Sequence, residues 1–147
     1  MVLIDMGVTV NGYVSDLTRL YHIGPVPRSI MERFSQLSTC FSEAISMVSP
    51  SVRASEVDLR VRSCLKEYGL RENILHRTGH GIGIEVHEPP YISINSTDIL
   101  QAGNIFTIEP GIYFRGGYGL RVESDVAILD NGDVVILDKI SRKIIQL

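Results

Sequence analysis

The sequence lacks the features that mark several classes of protein. No apolar run approaches the roughly 20 residues that a membrane-spanning helix needs. The net charge is only −3 and no basic stripe is present, so a nucleic-acid partner is not expected. The opening MVLIDMGVTV has neither the basic segment nor the cleavage site of a secretory signal. We therefore expect one domain over residues 1–147, with no membrane and no nucleic-acid partner.

Cysteine is scarce as well, with only Cys40 and Cys64 in the chain. Their separation of 24 residues has neither the spacing of a zinc site nor the density of a disulfide framework. Both positions fall within helical patterns, so we interpret them as reduced thiols packed in the interior. A cytoplasmic location follows as the expectation.

The apolar pattern predicts two helices between two groups of strands. A capping box at Ser29–Glu32 and apolar residues at helical spacing predict a helix of about 18 residues, which Pro50 ends. A second helix is predicted over Ala54–Tyr68, with Gly69 as its stop. Strands are predicted over 2–9, 13–22, 76–88, 104–114, 119–129 and 133–137. Helices beside a curved antiparallel sheet make this an α+β domain.

Four acidic residues and one histidine stand in distinctive short settings that together suggest a metal site. They are Asp5 in LIDMG, Asp16 in GYVSDLTR, His80 in HRTGHGIGIEVHEPP, Glu109 in FTIEPGIY and Glu123 in GLRVESD. Four carboxylates and one imidazole suit Mn²⁺, Co²⁺, Fe²⁺ or Zn²⁺ better than copper or an iron–sulfur cluster. Two such ions about 3.5 Å apart can activate a shared water for hydrolysis.

The dipeptide Asn11-Gly12 lies between apolar-rich runs and predicts a tight hairpin turn. With these as the turn residues, Asp5 falls opposite Thr18 and Gly7 falls opposite Asp16. Because side chains alternate along a strand, the two aspartates become diagonal neighbours on one face, roughly 5–8 Å apart at Cβ. Carboxylates this close repel unless a cation lies between them. An acidic hairpin that faces solvent is the alternative that this pattern leaves open.

Glu109 and Glu123 repeat the arrangement around a second turn. The stretch Phe114–Tyr118 contains two glycines, and pairing about Gly116 places the two glutamates opposite each other. An exposed glutamate pair is the alternative. The run NIFTIEPGIYF is too apolar for a solvated strand, however, and a carboxylate buried within it needs a partner.

These residues carry a resemblance to a known family. The segments LIDMGVTVNGYVSDLTR, HRTGHGIGIEVHEPP, FTIEPGIY and GLRVESDVAI resemble the catalytic domain of the pita-bread metallopeptidases, in the Xaa-Pro peptidase branch of aminopeptidase P and prolidase. They extend from residue 3 to residue 128 in the order of the family. The implied fold is the pita-bread fold, a curved antiparallel sheet with flanking helices. Methionine aminopeptidases share this fold, but the SDLTR and GLRVE segments favour the proline-directed branch.

The resemblance also implies a role for each ligand. Asp5 would chelate one metal ion, and Asp16 would bridge both ions. His80 and Glu109 would bind the other ion, with Glu123 as the second bridge. Glu109 also matches the glutamate that accepts the proton of the bridging water. The implied cofactors are two divalent metal ions, with Mn²⁺ or Co²⁺ ahead of Zn²⁺ or Fe²⁺.

Other polar residues match family positions outside the ligand set. His87, in EVHEPP, matches the histidine that contacts the substrate carbonyl or the leaving nitrogen, as a proton donor or a hydrogen-bond donor. Arg121 shares a strand face with Glu123, so we expect it to orient that carboxylate or Asp16. A surface arginine is the alternative. We interpret His76 as a buried, hydrogen-bonded structural histidine.

The chain departs from the family pattern at its start, because it opens on the strand that bears the first ligand. In the resembled family, half of the catalytic domain precedes that strand, and usually a separate N-terminal domain precedes that half. The resemblance therefore implies an N-terminally truncated, partial catalytic domain that is itself inactive if its substrate-binding walls are missing. For the full-length protein it implies a homodimer.

Three functions compete at this point. The first is dinuclear metal-dependent hydrolysis of the peptide bond before proline, with a proline-containing peptide as the partner. The others are a methionine aminopeptidase-like enzyme and a non-catalytic pita-bread module that binds peptides or proteins. Within the first, no arginine occurs between Arg77 and Arg115 to bind the carboxylate of an Xaa-Pro dipeptide. We therefore predict aminopeptidase P-like behaviour, with Arg115 as the residue to mutate if dipeptides are preferred.

Overall fold

The computed structural model describes all of residues 1–147, and it confirms the predicted α+β class. Helix α1 spans Arg28–Met47 and helix α2 spans Ala54–Glu67, with a 3₁₀ turn at Arg71–Asn73. The strands are β1 Val2–Met6, β2 Thr9–Val10, β3 Tyr13–Val14, β4 Leu17–His22, β5 Gly79–Gly81, β6 Glu88–Ile92, β7 Ile105–Ile108, β8 Gly111–Tyr113, β9 Gly119–Arg121, β10 Ser124–Ile128, β11 Val134–Ile136 and β12 Ile145–Gln146.

The strands assemble into two sheets and two short ribbons. The larger sheet has the order β11-β10-β7-β5-β6, and the smaller has the order β1-β4-β12. The pairs β2–β3 and β8–β9 form the tips of the ribbons, whose strands continue as the pairs β1–β4 and β7–β10. Helix α1 packs against β7 and β9, and helix α2 packs against β6, so the apolar core lies between the helices and the strands.

Both helices extend nearly as the sequence predicts, but the capping box is wrong. Pro27 precedes α1, Ser29 lies inside its first turn, and no side chain caps the helix. Proline at this position already fixes a helical φ, so the helix begins before the predicted cap. Helix α2 ends before Gly69, whose φ of +71° fits the predicted stop. Neither helix combines the length and the apolar character that crossing a membrane requires.

The interpretation of the cysteines as free thiols is wrong. Cys40 on α1 and Cys64 on α2 form a disulfide, with their Cα atoms 5.6 Å apart. Both are fully buried where the inner faces of the two helices meet. Sequence spacing could not show this pair, because the packing of the helices brings the residues together. The predicted cytoplasmic location rested partly on reduced thiols and stays a prediction.

The first hairpin has the predicted register. Asp5 pairs with Thr18, and Val10 pairs with Tyr13 across the turn at Asn11-Gly12. Both turn residues have positive φ, at 51° and 87°, as a type I′ turn requires. Each predicted strand is nevertheless split in two, the first at Gly7-Val8 and the second at Ser15-Asp16. A Cβ at Gly7 would lie 2.2 Å from the carbonyl oxygen of Ser15 on the opposite strand, so only glycine allows this close approach.

The second ribbon also keeps one register on both sides of the glutamates. Gly111 pairs with Arg121 in the β8–β9 ribbon, and Ile108 pairs with Ser124 in the β7–β10 ladder. Both pairings are symmetric about Gly116, so Glu109 and Glu123 lie opposite each other where the two ladders meet, as predicted. The ladders separate there because Pro110 donates no hydrogen bond.

The predicted strand over 76–88 is confirmed only at its centre, Gly79–Gly81. β5 covers only three residues, and the chain then loops before β6 returns beside it. A Cβ at Gly81 would lie 2.3 Å from the carbonyl oxygen of Pro89, so this tight return depends on a residue without a side chain. β6 itself was not predicted, nor was β12, which pairs in parallel with β4.

Candidate metal centre

The five predicted ligands come from three separate parts of the chain and face one cavity of about 510 Å³. Asp5 and Asp16 come from the first hairpin, Glu109 and Glu123 from the second ribbon, and His80 from β5. The cavity has no hydrophobic residue in its lining, which consists of Asp5, Asp16, His76, Arg77, His80, His87, Glu109, Arg121 and Glu123. A wall of this kind suits a polar or ionic ligand.

The distances between these groups are short enough for shared ligation. Asp5, Asp16 and Glu123 each offer a carboxylate oxygen within 4.8 Å of the other two. The Nε2 atom of His80 lies 3.3 Å from Oε1 of Glu109 and 3.7 Å from Oδ2 of Asp16. The structure thus brings together all five residues that the sequence suggested.

Burial makes negative charge costly at this cluster. It raises the pKa of Glu123 to about 8 and the pKa of Glu109 to about 7. Burial, with the negative charge of Asp5 beside it, likewise raises the pKa of Asp16 to about 7. Carboxylates that are held close and poorly hydrated favour a cation among them, which replaces the missing water and cancels the repulsion. The donor set therefore fits divalent metal ions.

The imidazole of His80 is arranged for ligation through one defined nitrogen. Its Nδ1 donates a hydrogen bond to the carbonyl oxygen of Gly81 at 3.1 Å, which leaves the lone pair of Nε2 facing the carboxylates. Burial lowers the pKa of this histidine to about 4, so the ring is neutral at pH 7. A neutral ring is the form that binds metal.

Arg121 contacts two of the carboxylate sites, but only partly as predicted. It forms an ion pair with Asp5, and its Nε donates a hydrogen bond to Oγ1 of Thr18 at 2.8 Å. The Thr18 hydroxyl in turn donates to Glu123, whose Oε2 lies 3.8 Å from the arginine Nε. The predicted contact with Glu123 is thus largely indirect, and the alternative contact with Asp16 is not formed. Apart from the pairing of Thr18 with Asp5, no sequence pattern indicates that Thr18 links Arg121 to Glu123.

Asp16 has a support of its own that sequence reasoning missed. Its backbone N–H donates to Oδ2 of Asp125 at 3.1 Å. Asp125 lies two residues after Glu123 and so shares its strand face. That spacing was a usable signal, although it did not reveal which backbone group the carboxylate would accept.

His87 and His76 occupy different positions on the wall. His87 is exposed, and its ring centroid lies 4.2 Å from that of His80 in an edge-to-face arrangement. It is therefore open to a substrate above the ligands. His76 is partly buried, accepts a hydrogen bond from the Tyr113 hydroxyl at 2.7 Å, and donates to the carbonyl oxygen of Arg77. Its predicted role as a hydrogen-bonded structural histidine agrees with these contacts.

Arg77 and Arg115, which stand on either side of the stretch without arginine, differ in position. Arg77 lines the cavity, which the sequence analysis did not predict. Arg115 lies at the exposed turn between β8 and β9 and lines a different cavity with Phe114 and Tyr118. Arg115 therefore does not reach the ligand cluster in this structure.

Curated relatives of this chain carry the names of peptidases. A protein of Mycobacterium tuberculosis named "Probable dipeptidase PepE" is 42% identical over 137 residues, which are 92% of this chain and 36% of that protein. The chain thus spans little more than a third of that relative's length.

Solved structures show the same fold. A prolidase from Thermococcus sibiricus is 39% identical with a TM-score of 0.94, and 99% of this chain covers 39% of it. The X-Pro aminopeptidase from Thermotoga maritima MSB8 is 35% identical with a TM-score of 0.94, over 99% of this chain and 41% of that one. The predicted pita-bread fold is confirmed, and this chain spans about two fifths of such structures.

The sequence profile of Metallopeptidase family M24 matches residues 1–130, which include all five candidate ligands. The match, the identities above and the shared fold agree with one another, and the resemblance seen in the motifs is confirmed. This chain belongs to metallopeptidase family M24.

Proposed function

We propose that the protein is a peptidase that uses two divalent metal ions to cleave the peptide bond before proline. The convergence of Asp5, Asp16, His80, Glu109 and Glu123 on one polar cavity carries this proposal. The names of the relatives, which include dipeptidase, prolidase and X-Pro aminopeptidase, support the substrate class.

The ligands divide between two ions in the proposed site. Asp5 would hold one ion, His80 and Glu109 would hold the other, and Asp16 and Glu123 would contact both. When bound, the ions would supply Lewis acidity and lower the pKa of a coordinated water. Mn²⁺ or Co²⁺ is the expected pair, because oxygen ligands outnumber the single nitrogen.

Glu109 and His87 are the proposed proton-transfer and hydrogen-bonding groups. Glu109 matches the family's proton-accepting glutamate, and its carboxylate lies in the cavity, 3.3 Å from Nε2 of His80. His87 is exposed on the cavity wall and can donate a hydrogen bond to the substrate carbonyl or to the leaving nitrogen. Arg121 and Thr18 would hold Asp5 and Glu123 in place for ligation.

The preference between dipeptides and longer peptides is a separate question. The predicted aminopeptidase P-like behaviour rested on the absence of an arginine between Arg77 and Arg115. The structure brings Arg77 itself into the cavity, so that argument loses its premise. A homodimer of the full-length protein and a cytoplasmic location stay predictions.

Asp16→Asn tests the proposed centre, because a neutral amide cannot bridge two cations as a carboxylate does. Isothermal titration of the metal-free protein with Mn²⁺ or Co²⁺ should show about two ions per chain in the wild type and at most one in the variant. Cleavage of Xaa-Pro and Xaa-Pro-Xaa peptides by the protein in its full natural length should be lost in parallel.

Asp130→Asn is the matched control, since Asp130 is an exposed turn aspartate outside the cavity. It should leave both stoichiometry and cleavage unchanged. Unchanged stoichiometry in Asp16→Asn would refute the bridging role. Cleavage of methionyl peptides in place of proline peptides would favour the methionine aminopeptidase alternative, and peptide binding without any cleavage would favour the non-catalytic module.

A further inference from the structure

One cation at the cavity has no anionic or hydrogen-bonding partner in the molecule. Arg77 is part of the cavity wall beside four carboxylates, yet its guanidinium makes no ion pair and donates no hydrogen bond within the chain. The other cavity arginine, Arg121, is fully engaged by Asp5, Thr18 and Tyr113. Arg77 therefore has free N–H donors at the wall of a cavity that a ligand would occupy.

An aromatic side chain explains why this guanidinium stays free. The Cζ atom of Arg77 lies over the ring of Tyr91, 4.8 Å from its centroid, a geometry that stabilises the cation on the ring face. Tyr91 is fixed in turn, because its backbone pairs with that of His80 between β6 and β5 and its N–H donates to Asp98. The stack holds the guanidinium next to the ligand strand, where it forms no ion pair with a candidate metal-binding carboxylate.

The charge of the loaded site also points to an anionic ligand. Two divalent ions would offset the four carboxylates of Asp5, Asp16, Glu109 and Glu123, which would leave the positive charges of Arg121 and Arg77 without an equal negative charge in the cavity lining. Arg77 would then contribute positive charge that nothing in the chain cancels. Its planar fork can bind a carboxylate through two parallel hydrogen bonds.

We propose that Arg77 binds a carboxylate of the peptide substrate and sets a preference for acidic substrates at this site. The proposal rests on the peptidase function proposed above and adds to it a group that selects substrates. A peptide substrate can offer two kinds of carboxylate that an arginine would bind in the same way. One is the C-terminal carboxylate of an Xaa-Pro dipeptide, and the other is an acidic side chain on the residue before proline.

Four peptides separate the two sources. Leu-Pro and Leu-Pro-NH₂ differ only in the C-terminal charge, and Glu-Pro-NH₂ and Gln-Pro-NH₂ differ only in the side-chain charge. In Arg77→Gln, KM should rise at least 10-fold for the charged member of one pair, and the neutral members should change less than about 2-fold. The pair that responds identifies the carboxylate that Arg77 binds.

Further variants test whether the preference for the charged peptide depends on the planar guanidinium of Arg77 and on the Tyr91 ring beneath it. Arg77→Lys keeps the charge without the planar fork, so it should recover only part of the preference. Tyr91→Leu should weaken the preference through KM, and Tyr91→Phe should restore it because the ring face is retained. Arg115→Gln is the control, since Arg115 lies outside the cavity, and it should leave all four peptides unaffected.

An equal loss on all four peptides in Arg77→Gln, with or without loss of metal, would overturn the proposal and make Arg77 a structural residue. No change on any of them would overturn it as well. If the wild-type protein in its full natural length cleaves none of the four, the proposed peptidase function fails. The same peptides then serve as uncleaved ligands for calorimetric titration. The Arg77 proposal stands only if the wild type binds the charged member of one pair at least 10-fold tighter than the neutral member, and if Arg77→Gln loses this difference.

Discussion

Removing metal should make the stability of this protein fall as the pH rises from 5 to 8. Glu123 is only 1% exposed, and burial raises its pKa from 4.5 to about 8. The folded state therefore holds the proton more tightly than the unfolded chain does. Stability from this group is complete at pH values below about 4.5 and is lost as the pH rises towards 8. This is opposite to the usual behaviour of a paired carboxylate.

The size of the effect follows from the two pKa values. Between pH 5 and pH 8, proton linkage for Glu123 alone lowers the unfolding free energy by an amount on the order of 3 kcal/mol. In a chain of 147 residues this corresponds to a fall in Tm on the order of 10 °C. Asp16 and Glu109, whose pKa values are also raised, act in the same direction.

Bound metal should reverse the trend. Cations hold the carboxylates deprotonated, so metal affinity increases with pH and the stabilisation by metal increases with it. Thermal unfolding followed by circular dichroism, with chelator and with excess Mn²⁺, should give two curves of Tm against pH that diverge from pH 5 to pH 8. The gap between them should be largest at the highest pH.

Two variants make the test specific. Glu123→Gln keeps an acceptor for the Thr18 hydroxyl but cannot titrate, so it should make the Tm of the metal-free protein fall less steeply with pH, by the share that Glu123 contributes. Glu67→Gln alters an exposed glutamate of α2 outside the cavity and should leave the curve unchanged. A metal-free Tm that is flat or rises from pH 5 to pH 8 would refute the electrostatic reasoning.

Two further predictions concern turnover and the helix pair. His87→Ala should lower kcat about 100-fold or more with metal content intact, because a transition-state donor contributes to rate and not to ligation. Measuring kcat and the bound metal of the same variant checks this prediction, and a loss of metal would instead make His87 a ligand. Replacing Cys40 and Cys64 together by alanine should lower the free energy of unfolding by about 3.5 kcal/mol, since the disulfide closes a loop of 24 residues. Urea unfolding measures the difference, and a free-thiol count near two in the wild type would contradict the bond.

The parts of the site that the sequence predicted well are those set by local rules. A type I′ turn at Asn11-Gly12 fixes a register, and the register fixes which side chains share a face. The same reasoning placed Glu109 opposite Glu123 before any tertiary contact was known. In both ribbons, turn chemistry and the two-residue period of a strand were sufficient.

The parts that the sequence did not predict depend on contacts between distant segments. Thr18 and Glu123 are 105 residues apart, and Asp16 and Asp125 are 109 apart. The disulfide, the short strand β5 and the stacking of Arg77 on Tyr91 likewise follow from packing or close backbone approach. No local pattern encodes which hydroxyl or carboxylate will lie behind a given ligand.

The geometry of the two ribbons explains why metal and fold are coupled here. Each ribbon presents two carboxylates, and the packing of the ribbons brings both pairs to one cavity with His80 between them. The Thr18 hydroxyl and the Arg121 side chain join the ribbons directly behind the ligands. Metal would therefore act on the contact between the ribbons as well as on the substrate. In its absence the same contact brings together groups whose pKa values are raised to about 7 or 8, so ordering the ligands costs folding stability that a bound cation would restore.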